Sequence, residues 1–313
     1  MRDNFFNLTP DIVLNAVEAE GFQPNGYLTQ LNSYENRVFS VELEDNKKVI
    51  AKFYRPGRWL REAILDEHKF IVDLKMEGIP AAAALSLSNG TSVSKHSGML
   101  MSLFERIQGR SPDEFLPGDL EKIGRRLAQL HNVGARVKAK HRWNLHPRFL
   151  GWPSLQILES FIVPELINRY MTAAEDILEF LEDELYEEDF IRIHGDCHKG
   201  NLINDSKEFF FVDFDDLMNG LPVQDIWMLT QGDEEETKIN VDELLKGYCE
   251  LRDFDDSTLA LIEPLRALRM IYYSAWIAKR WTDPSFPKLF PNFSSHNYWL
   301  EEVDNLEKVA RKL

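Results

Sequence analysis

The segment that most constrains this chain is a polar loop near residue 200, where a histidine, an aspartate and an asparagine stand at fixed spacing. His194, Asp196 and Asn201 fit the pattern H-x-D-x-x-x-x-N. A short hairpin is predicted directly after them, across residues 202–212, because two apolar runs flank a set of turn residues. This hairpin would return Asp213 to the side of Asn201. Three oxygen-bearing side chains are therefore expected to converge at one point of the fold.

This spacing is typical of the catalytic loop of enzymes that transfer a phosphoryl group to a hydroxyl. Such chemistry needs a carboxylate that orients the hydroxyl and accepts its proton, a role that Asp196 would fill. It also needs oxygen ligands for Mg²⁺, which Asn201 and Asp213 would supply. A buried Asp–Asn pair alone often caps a loop, but the combined spacing predicts an ATP- and Mg²⁺-dependent phosphotransferase with Asp196 and Asp213 as catalytic residues.

The first hundred residues have a mixed pattern of helix and strand. Thr9 followed by Pro10 indicates the start of a helix at residues 11–20. Two strand-like runs, 36–43 and 48–54, are separated by turn residues and form a predicted hairpin. A helix is predicted at 61–77 and a further strand at 99–104.

The rest of the chain is mainly helical. Helices are predicted at 119–131, 161–185 and 264–281, with a strand-rich insert at 190–214. The chain is therefore expected to have an α+β, two-lobed, protein-kinase-like fold. Residues 1–104 would form a small N-terminal lobe, and residues 105–313 a larger helical lobe.

Lys52 gives a partly independent indication of the same chemistry. Side chains alternate along the strand at 48–54, and Lys52 lies between bulky neighbours on one face. A charge on a half-buried strand needs a partner. On the helix at 61–77, Glu67 is the acid on the packed face. We therefore predict a Lys52–Glu67 ion pair that positions the phosphates of ATP; the alternative is a surface lysine beside an edge glutamate.

Composition excludes several other classes of protein. The formal net charge is -16, with 36 basic and 52 acidic residues, so nucleic acid is not an expected partner. The acidic runs at 175–189 and 233–236 are expected to be solvated, although an acidic rim for a cationic substrate is the alternative. No apolar run is long enough to cross a membrane, residues 1–10 lack a signal sequence, and two cysteines form no disulfide framework. A cytoplasmic protein is expected.

Three motifs resemble those of one superfamily. Residues 194–201 resemble the Brenner-type loop of aminoglycoside phosphotransferases and choline kinase-like enzymes, with Gly195 where protein kinases have arginine. Phe211–Phe214 resembles the metal-binding segment of that superfamily, and Gln224–Trp227 resembles the turn that follows it. The resemblance implies that Asp225 braces the catalytic loop. It also allows small hydroxyl compounds as acceptors, such as aminoglycosides, choline-like alcohols or homoserine.

A narrower likeness covers nearly the whole chain. Residues 31–38, 52–56, 224–229 and 263–267 are similar to the stress response kinase A family of bacteria. This resemblance implies a monomeric, cytosolic serine/threonine protein kinase that takes part in envelope and oxidative stress responses. A protein substrate is favoured by this likeness, whereas a small hydroxyl compound is the alternative.

The chain departs from the pattern of protein kinases at two places. It has no G-x-G-x-x-G loop and no Walker A motif, so Ser33, in the corresponding turn, is expected to contact the phosphates. The adenine is expected between the lobes, with Phe104 and Arg106 among its contacts. Asp215 stands where protein kinases have glycine after Asp-Phe. It is either a further metal ligand or a solvated neighbour.

Two other classes of function fit part of the pattern. His194, Asp196, His198 and Asp213 would suit the metal centre of a hydrolase, but that interpretation leaves Lys52 unexplained. A pseudokinase would be expected to lack one of the catalytic side chains, and all of them are present. Cys197 is expected to fill space in the loop, with a redox role as the alternative.

Overall fold

The computed structural model describes residue 5, residues 8–230, residue 232 and residues 234–313. The expectations for the N-terminal segment and for the acidic run that begins at Asp233 therefore fall partly outside the described residues. Within these ranges the chain forms a small lobe on an antiparallel sheet and a larger, mainly helical lobe. The predicted α+β class with two lobes is confirmed. No helix of the described ranges combines the length and the apolar character needed to cross a bilayer.

The small lobe contains a five-stranded sheet in the order β1-β2-β3-β5-β4. Its strands are β1 (Pro24–Leu31), β2 (Arg37–Leu43), β3 (Lys48–Phe53), β4 (Ser94–His96) and β5 (Met99–Glu105). The β2–β3 hairpin and β5 confirm the prediction. Strands β1 and β4 were not predicted. Strand β1 gave no signal because it is exposed along most of its length and lacks alternating apolar residues.

Strand β3 alternates as its sequence predicts. Val49, Ala51 and Phe53 are buried in a core shared with helix α1 (Pro10–Ala19). The opposite face, which carries Lys52, lines the cleft between the lobes. Helix α2 (Arg61–Met76) follows β3 and buries Glu67 on its packed face, as predicted.

The large lobe is assembled from nine helices that the described residues define. They are α3 (Asp119–Gly134), α4 (Pro147–Leu150), α5 (Trp152–Leu158), α6 (Ile167–Glu184), α7 (Val223–Leu229), α8 (Glu234–Tyr248), α9 (Ile262–Lys279), α10 (Phe286–Leu289) and α11 (His296–Ala310). Helix α6 begins at Ile167, six residues later than the predicted residue 161, and Pro164 lies in the segment that precedes it. The acidic residues of α6 are exposed, as expected.

The strand-rich insert between α6 and α7 positions the loop at residues 194–201. Strands β6 (Ile191–Ile193) and β9 (Met218–Gly220) pair with each other, and β7 (Leu202–Asn204) forms the predicted hairpin with β8 (Phe209–Phe211). The N–H of Val212 donates to the carbonyl of Asn201 at 3.0 Å. The hairpin therefore returns Asp213 to the side of Asn201, as the sequence predicts.

Glycines allow helices α3 and α8 to pack very closely. A Cβ atom on Gly247 of α8 would lie 1.9 Å from the carbonyl oxygen of Glu121 on α3. A Cβ on Gly124 of α3 would lie 2.1 Å from the carbonyl oxygen of Leu244 on α8. Both contacts involve backbone atoms, so neither can be relieved by a side-chain rotation.

We expect Gly247→Ala to destabilise the protein by about 1–3 kcal/mol, because the two helices must move apart. Alanine has the better helix propensity by about 1 kcal/mol, so the sign of the change tests the packing. Asp242→Ala, at an exposed position of the same helix, is the matched control. Chemical denaturation measures both variants, and a more stable Gly247→Ala protein would contradict the close approach.

Candidate active site

Asp225 of α7 holds the loop at residues 194–201 in place through hydrogen bonds. The backbone N–H groups of His194 and Gly195 each donate to its carboxylate at 2.8 Å, and the ring of His131 lies 3.1 Å from the same carboxylate. Gly195 has a φ of 81°, and a Cβ there would lie 2.2 Å from the carbonyl oxygen of Asp216. The expected bracing contact of Asp225 is confirmed. The positive φ and the close approach to Asp216 explain why glycine occupies position 195.

Asp196, Asn201 and Asp213 converge, as the spacing predicts. The Nδ2 of Asn201 donates to the carbonyl of Asp196 at 2.9 Å, so its Oδ1 is the atom that can ligate a cation. Asp213 has a φ of 58°, a left-handed conformation that is uncommon for a residue with a side chain. Its side chain is 52% exposed. Strained backbone of this kind is concentrated at functional sites.

Lys52 reaches this point from the small lobe. Its Nζ lies 2.8 Å from Asp213 Oδ1 and 3.1 Å from Asp215 Oδ1. The direct contact predicted between Lys52 and Glu67 does not form: Lys52 pairs with Asp213 and Asp215, and Arg142 Nη2 lies 2.7 Å from Glu67 Oε2. Burial raises the pKa of Glu67 and outweighs the charge of Lys52, which still acts to lower that pKa. Arg142 follows α3 and is distant from both residues in the sequence, so local periodicity could not reveal it as the partner of Glu67.

Arg142 links three parts of the site. Its Nε donates to the carbonyl of Ala63 on α2, and its Nη1 donates to the carbonyl of Asp215 at 2.6 Å. The guanidinium also packs over the ring of Trp59 at 4.3 Å. Arg142 therefore holds α2 and Glu67 against the segment that carries the metal-binding candidates.

Asp215 is buried rather than solvated, so one of the two expectations for it is wrong. Arg58 Nε lies 3.1 Å from its Oδ2, on the side opposite the Lys52 contact. Burial alone would raise the pKa of Asp215, but Lys52, Arg58 and Arg142 outweigh this and hold it well below the usual value. Burial would likewise lower the pKa of Lys52, but Asp213 and Asp215 raise it well above its usual value. Both groups are charged at neutral pH.

The turn between β1 and β2 is fixed by charge pairs instead of by glycine. Arg55 donates to the carbonyl oxygens of Glu35 and Tyr34 at 3.0 and 3.2 Å. The carboxylate of Glu35 lies 2.7 Å from Arg58 Nη1 and accepts from Trp276 Nε1 at 2.5 Å, and it also pairs with Arg280. These contacts tie the turn that contains Ser33 to helix α9 of the large lobe.

A cleft of about 520 Å³ between the lobes collects most of the predicted site residues. Its walls include Ser33, Lys52, Glu67, Phe104, Arg106, Asn201 and Asp213. Asp196 and Asp215 do not line this cleft: Asp196 contacts Asn201 at its edge, and Asp215 lies behind Lys52. Apolar side chains, among them Ile50, Ile71 and Phe104, line the same space as the polar group around Lys52.

Four site residues were missed by the sequence analysis, namely Glu35, Arg58, Arg142 and Arg269. Arg269 of α9 forms an ion pair with Asp196, and Arg58 Nη2 lies 2.5 Å from Asp216 Oδ1. Each is a charged residue beside aromatic or apolar neighbours in the sequence, which is a weak signal. Their partners lie far away in the chain, so no spacing rule identifies them.

The hydrolase interpretation does not fit the geometry. Among the described residues, no group of three or more His, Cys, Asp and Glu side chains is arranged to hold a metal ion. His194 lies 3.0 Å from the carbonyl of Val212 and packs on Phe214, so its ring is engaged in the loop. Cys197 is buried, and burial raises the pKa of its thiol well above the usual value, which disfavours a redox role.

Comparison with known proteins assigns this chain to a family of enzymes. Residues 28–262 match the phosphotransferase enzyme family, and the chain belongs to it. Amicoumacin kinase hAmiN, solved with AMP-PNP and Ca²⁺, shares the fold with a TM-score of 0.79 at 20% identity, covering 96% of this chain and 93% of that chain. Spectinomycin phosphotransferase APH(9)-Ia has a TM-score of 0.69 at 13% identity, covering 97% and 98%.

Closer relatives define the family more narrowly. Stress response kinase A of Escherichia coli (strain K12) is 36% identical over 313 residues, which cover 99% of this chain and 94% of that protein. Serine/threonine protein kinase RdoA of Salmonella typhimurium (strain LT2) is 36% identical over 310 residues, which cover 97% and 94%. The chain therefore belongs to the stress response kinase A family, a group of kinases that transfer phosphate to a hydroxyl.

The corrected ion pair can be tested by double-mutant cycles. Arg142→Met leaves the Glu67 carboxylate buried without its partner, so we expect a loss of about 3–5 kcal/mol in the free energy of unfolding. Glu67→Gln in the same background should recover part of this loss, with a coupling energy of about 0.5–3 kcal/mol. Denaturant unfolding measures all variants. A larger coupling in the parallel cycle of Glu67 with Lys52→Met would contradict the observed pairing.

Proposed function

We propose that this kinase transfers the γ-phosphoryl group of ATP to the hydroxyl of serine or threonine in proteins. The observation that carries the proposal is the convergence of Asp196, Asn201 and Asp213 opposite Lys52 at one edge of the cleft. The relative from Salmonella typhimurium that is named a serine/threonine protein kinase supports the acceptor class. A small hydroxyl compound is the alternative acceptor.

ATP would lie in the cleft between the lobes. Its adenine would lie near residues 102–106, where Phe104 and Arg106 line the cleft, and its phosphates would reach Ser33 and Lys52. The charge of Lys52 suits phosphate oxygens, and the turn that contains Ser33 is held in place by the Glu35 contacts. A related fold solved with AMP-PNP and Ca²⁺ supports the use of a nucleotide with a divalent cation.

Asn201 and Asp213 fit Mg²⁺, because an amide oxygen and a half-exposed carboxylate are hard oxygen ligands at the same edge of the cleft. When bound there, Mg²⁺ would supply positive charge beside the phosphate oxygens. Asp215 also has a suitable carboxylate, but its two buried ion pairs favour a role in holding Lys52 and Arg58.

Asp196 would act on the acceptor. Its carboxylate would accept a hydrogen bond from the acceptor hydroxyl and take the proton as the reaction proceeds. The hydroxyl oxygen forms a bond to the γ-phosphorus while the bond from that phosphorus to the bridging oxygen of ADP breaks. The family likeness also supports our proposals of a cytoplasmic, monomeric protein that acts in a stress response.

Asp196→Asn tests the role of the base. We expect phosphoryl transfer from γ-labelled ATP to fall by about 10²- to 10⁴-fold, because a positioned base contributes about this much. Nucleotide affinity should stay close to that of the unaltered protein. Incubation with a general protein substrate and with a panel of small alcohols measures transfer and identifies the acceptor class. Retained turnover would remove Asp196 from the mechanism.

Asp213→Asn tests the metal site. We expect the affinity for ATP in the presence of Mg²⁺ to decrease by about tenfold or more, since a ligating carboxylate is lost. Asp189→Asn, at an exposed position of the large lobe, is the control. Calorimetric titration with and without Mg²⁺ measures the effect, and identical titrations of the two variants would refute the assignment.

A further inference from the structure

Arg269 of α9 lies beside Asp196, the proposed base. Its guanidinium forms an ion pair with Oδ1 of Asp196, and its side chain is 29% exposed. Asp196 itself is 18% exposed, and its other oxygen, Oδ2, lies 3.4 Å from Asn201 Nδ2 and 3.7 Å from His198 Nε2. An acceptor hydroxyl that binds Oδ1 of Asp196 must therefore displace Arg269.

Two carboxylates near this point already have arginine partners. Arg269 pairs with Asp196, and Arg58 pairs with Asp216. Lys199, on the same loop, is exposed and donates to the backbone carbonyl of Asp113 at 2.6 Å. A cationic acceptor would have to displace these arginines from their carboxylates. An anionic group would instead gain a charge-assisted hydrogen bond.

Exposed aromatic side chains extend the surface beside Arg269. Tyr273 lies one turn further along α9, is 43% exposed, and stacks on Trp276 with ring centroids 5.5 Å apart. Tyr34, on the turn beside Ser33, is 53% exposed and lies edge-on to Phe290 at 6.3 Å. Tyrosine, tryptophan and arginine are the residues enriched where proteins bind other polypeptides.

We propose that Arg269 binds a carboxylate or phosphate close to the acceptor hydroxyl, so that the enzyme selects serine or threonine in acidic polypeptide segments. The proposal rests on the kinase function proposed above. As the anionic group engages Arg269, the guanidinium leaves Asp196, and the acceptor hydroxyl takes its place on the carboxylate. Because Arg269 pairs with Asp196 when no acceptor is bound, an acceptor that carries such an anionic group gains access to the carboxylate of Asp196. Arg269 is a specificity-determining residue rather than part of the phosphate or metal site.

Three peptides that differ only at the residue beside one serine test the proposal. That residue is aspartate, asparagine or lysine. We expect kcat/KM to be highest for the aspartate peptide, by about tenfold to a hundredfold over asparagine, as for a hydrogen bond between charged groups. Arg269→Gln should remove this preference by raising the KM of the aspartate peptide. Arg269→Lys should restore part of it, because the charge returns without the planar fork.

Arg266→Gln is the matched control, because Arg266 lies on the same helix, is similarly exposed, and pairs with Glu263 at 3.0 Å. It should keep the preference for aspartate. Binding of Mg²⁺-ATP and ATP hydrolysis without peptide are measured for both variants, since Arg269 pairs with the proposed base. An equal loss for all three peptides together with lower ATP hydrolysis would show that Arg269 serves the nucleotide or the loop, and would overturn the proposal.

The remaining outcomes separate this proposal from the proposed kinase function. Equal use of the three peptides by the unaltered protein, or a preference for lysine, overturns the role of Arg269 and leaves the kinase intact. Transfer to none of them, with ATP binding and hydrolysis retained, overturns the role of Arg269 and also counts against a polypeptide acceptor. Failure of the unaltered protein to bind Mg²⁺-ATP would instead count against the kinase function itself.

Discussion

The contact between Lys52 and the two aspartates Asp213 and Asp215 joins the lobes of this protein. Lys52 belongs to the sheet of the small lobe, whereas both aspartates follow the hairpin of the large lobe. Burial makes the charges of Lys52 and Asp215 costly on their own, so these two groups depend on each other, and the half-exposed Asp213 is a second partner for Lys52. The cleft takes its shape from this pairing, because the same contact fixes the edge where the phosphates are expected.

Further charged contacts hold the surrounding segments to this centre. Arg142 connects Glu67 on α2 with the backbone of Asp215. Asp225 accepts hydrogen bonds from backbone N–H groups of the loop at residues 194–201. Glu35 connects the turn between β1 and β2 with α9. A chain without a glycine-rich loop thereby obtains a fixed turn at the cleft, where we propose that the phosphates bind. Together these contacts preorganise the positions of charges, which is the main requirement for phosphoryl transfer.

Features set by local spacing could be predicted from the sequence. The loop at 194–201 and the following hairpin are continuous in the chain, so the meeting of Asp196, Asn201 and Asp213 follows from turn chemistry. Strand alternation likewise placed Lys52 on the face toward the cleft. The overall fold could be predicted because long apolar periodicities distinguish the helical lobe from the sheet.

Features set by distant partners could not be predicted in this way. The apolar periodicity of the helix correctly predicted that Glu67 is buried. Its partner Arg142 lies 75 residues later in the chain. The environment of Asp215 also depends on Arg58, which no local rule places beside it. Strand β1 escaped prediction because its exposed residues lack alternation. In each case the deciding interaction is tertiary.

A crystal structure of the full chain with AMP-PNP and Mg²⁺ tests the central claim most directly. The account predicts the nucleotide in the interlobe cleft, with Lys52 on its phosphates and a metal ion ligated by Asn201 Oδ1 and Asp213. A nucleotide bound elsewhere, or a metal ion held by other side chains while Lys52 stays away from the phosphates, would contradict it.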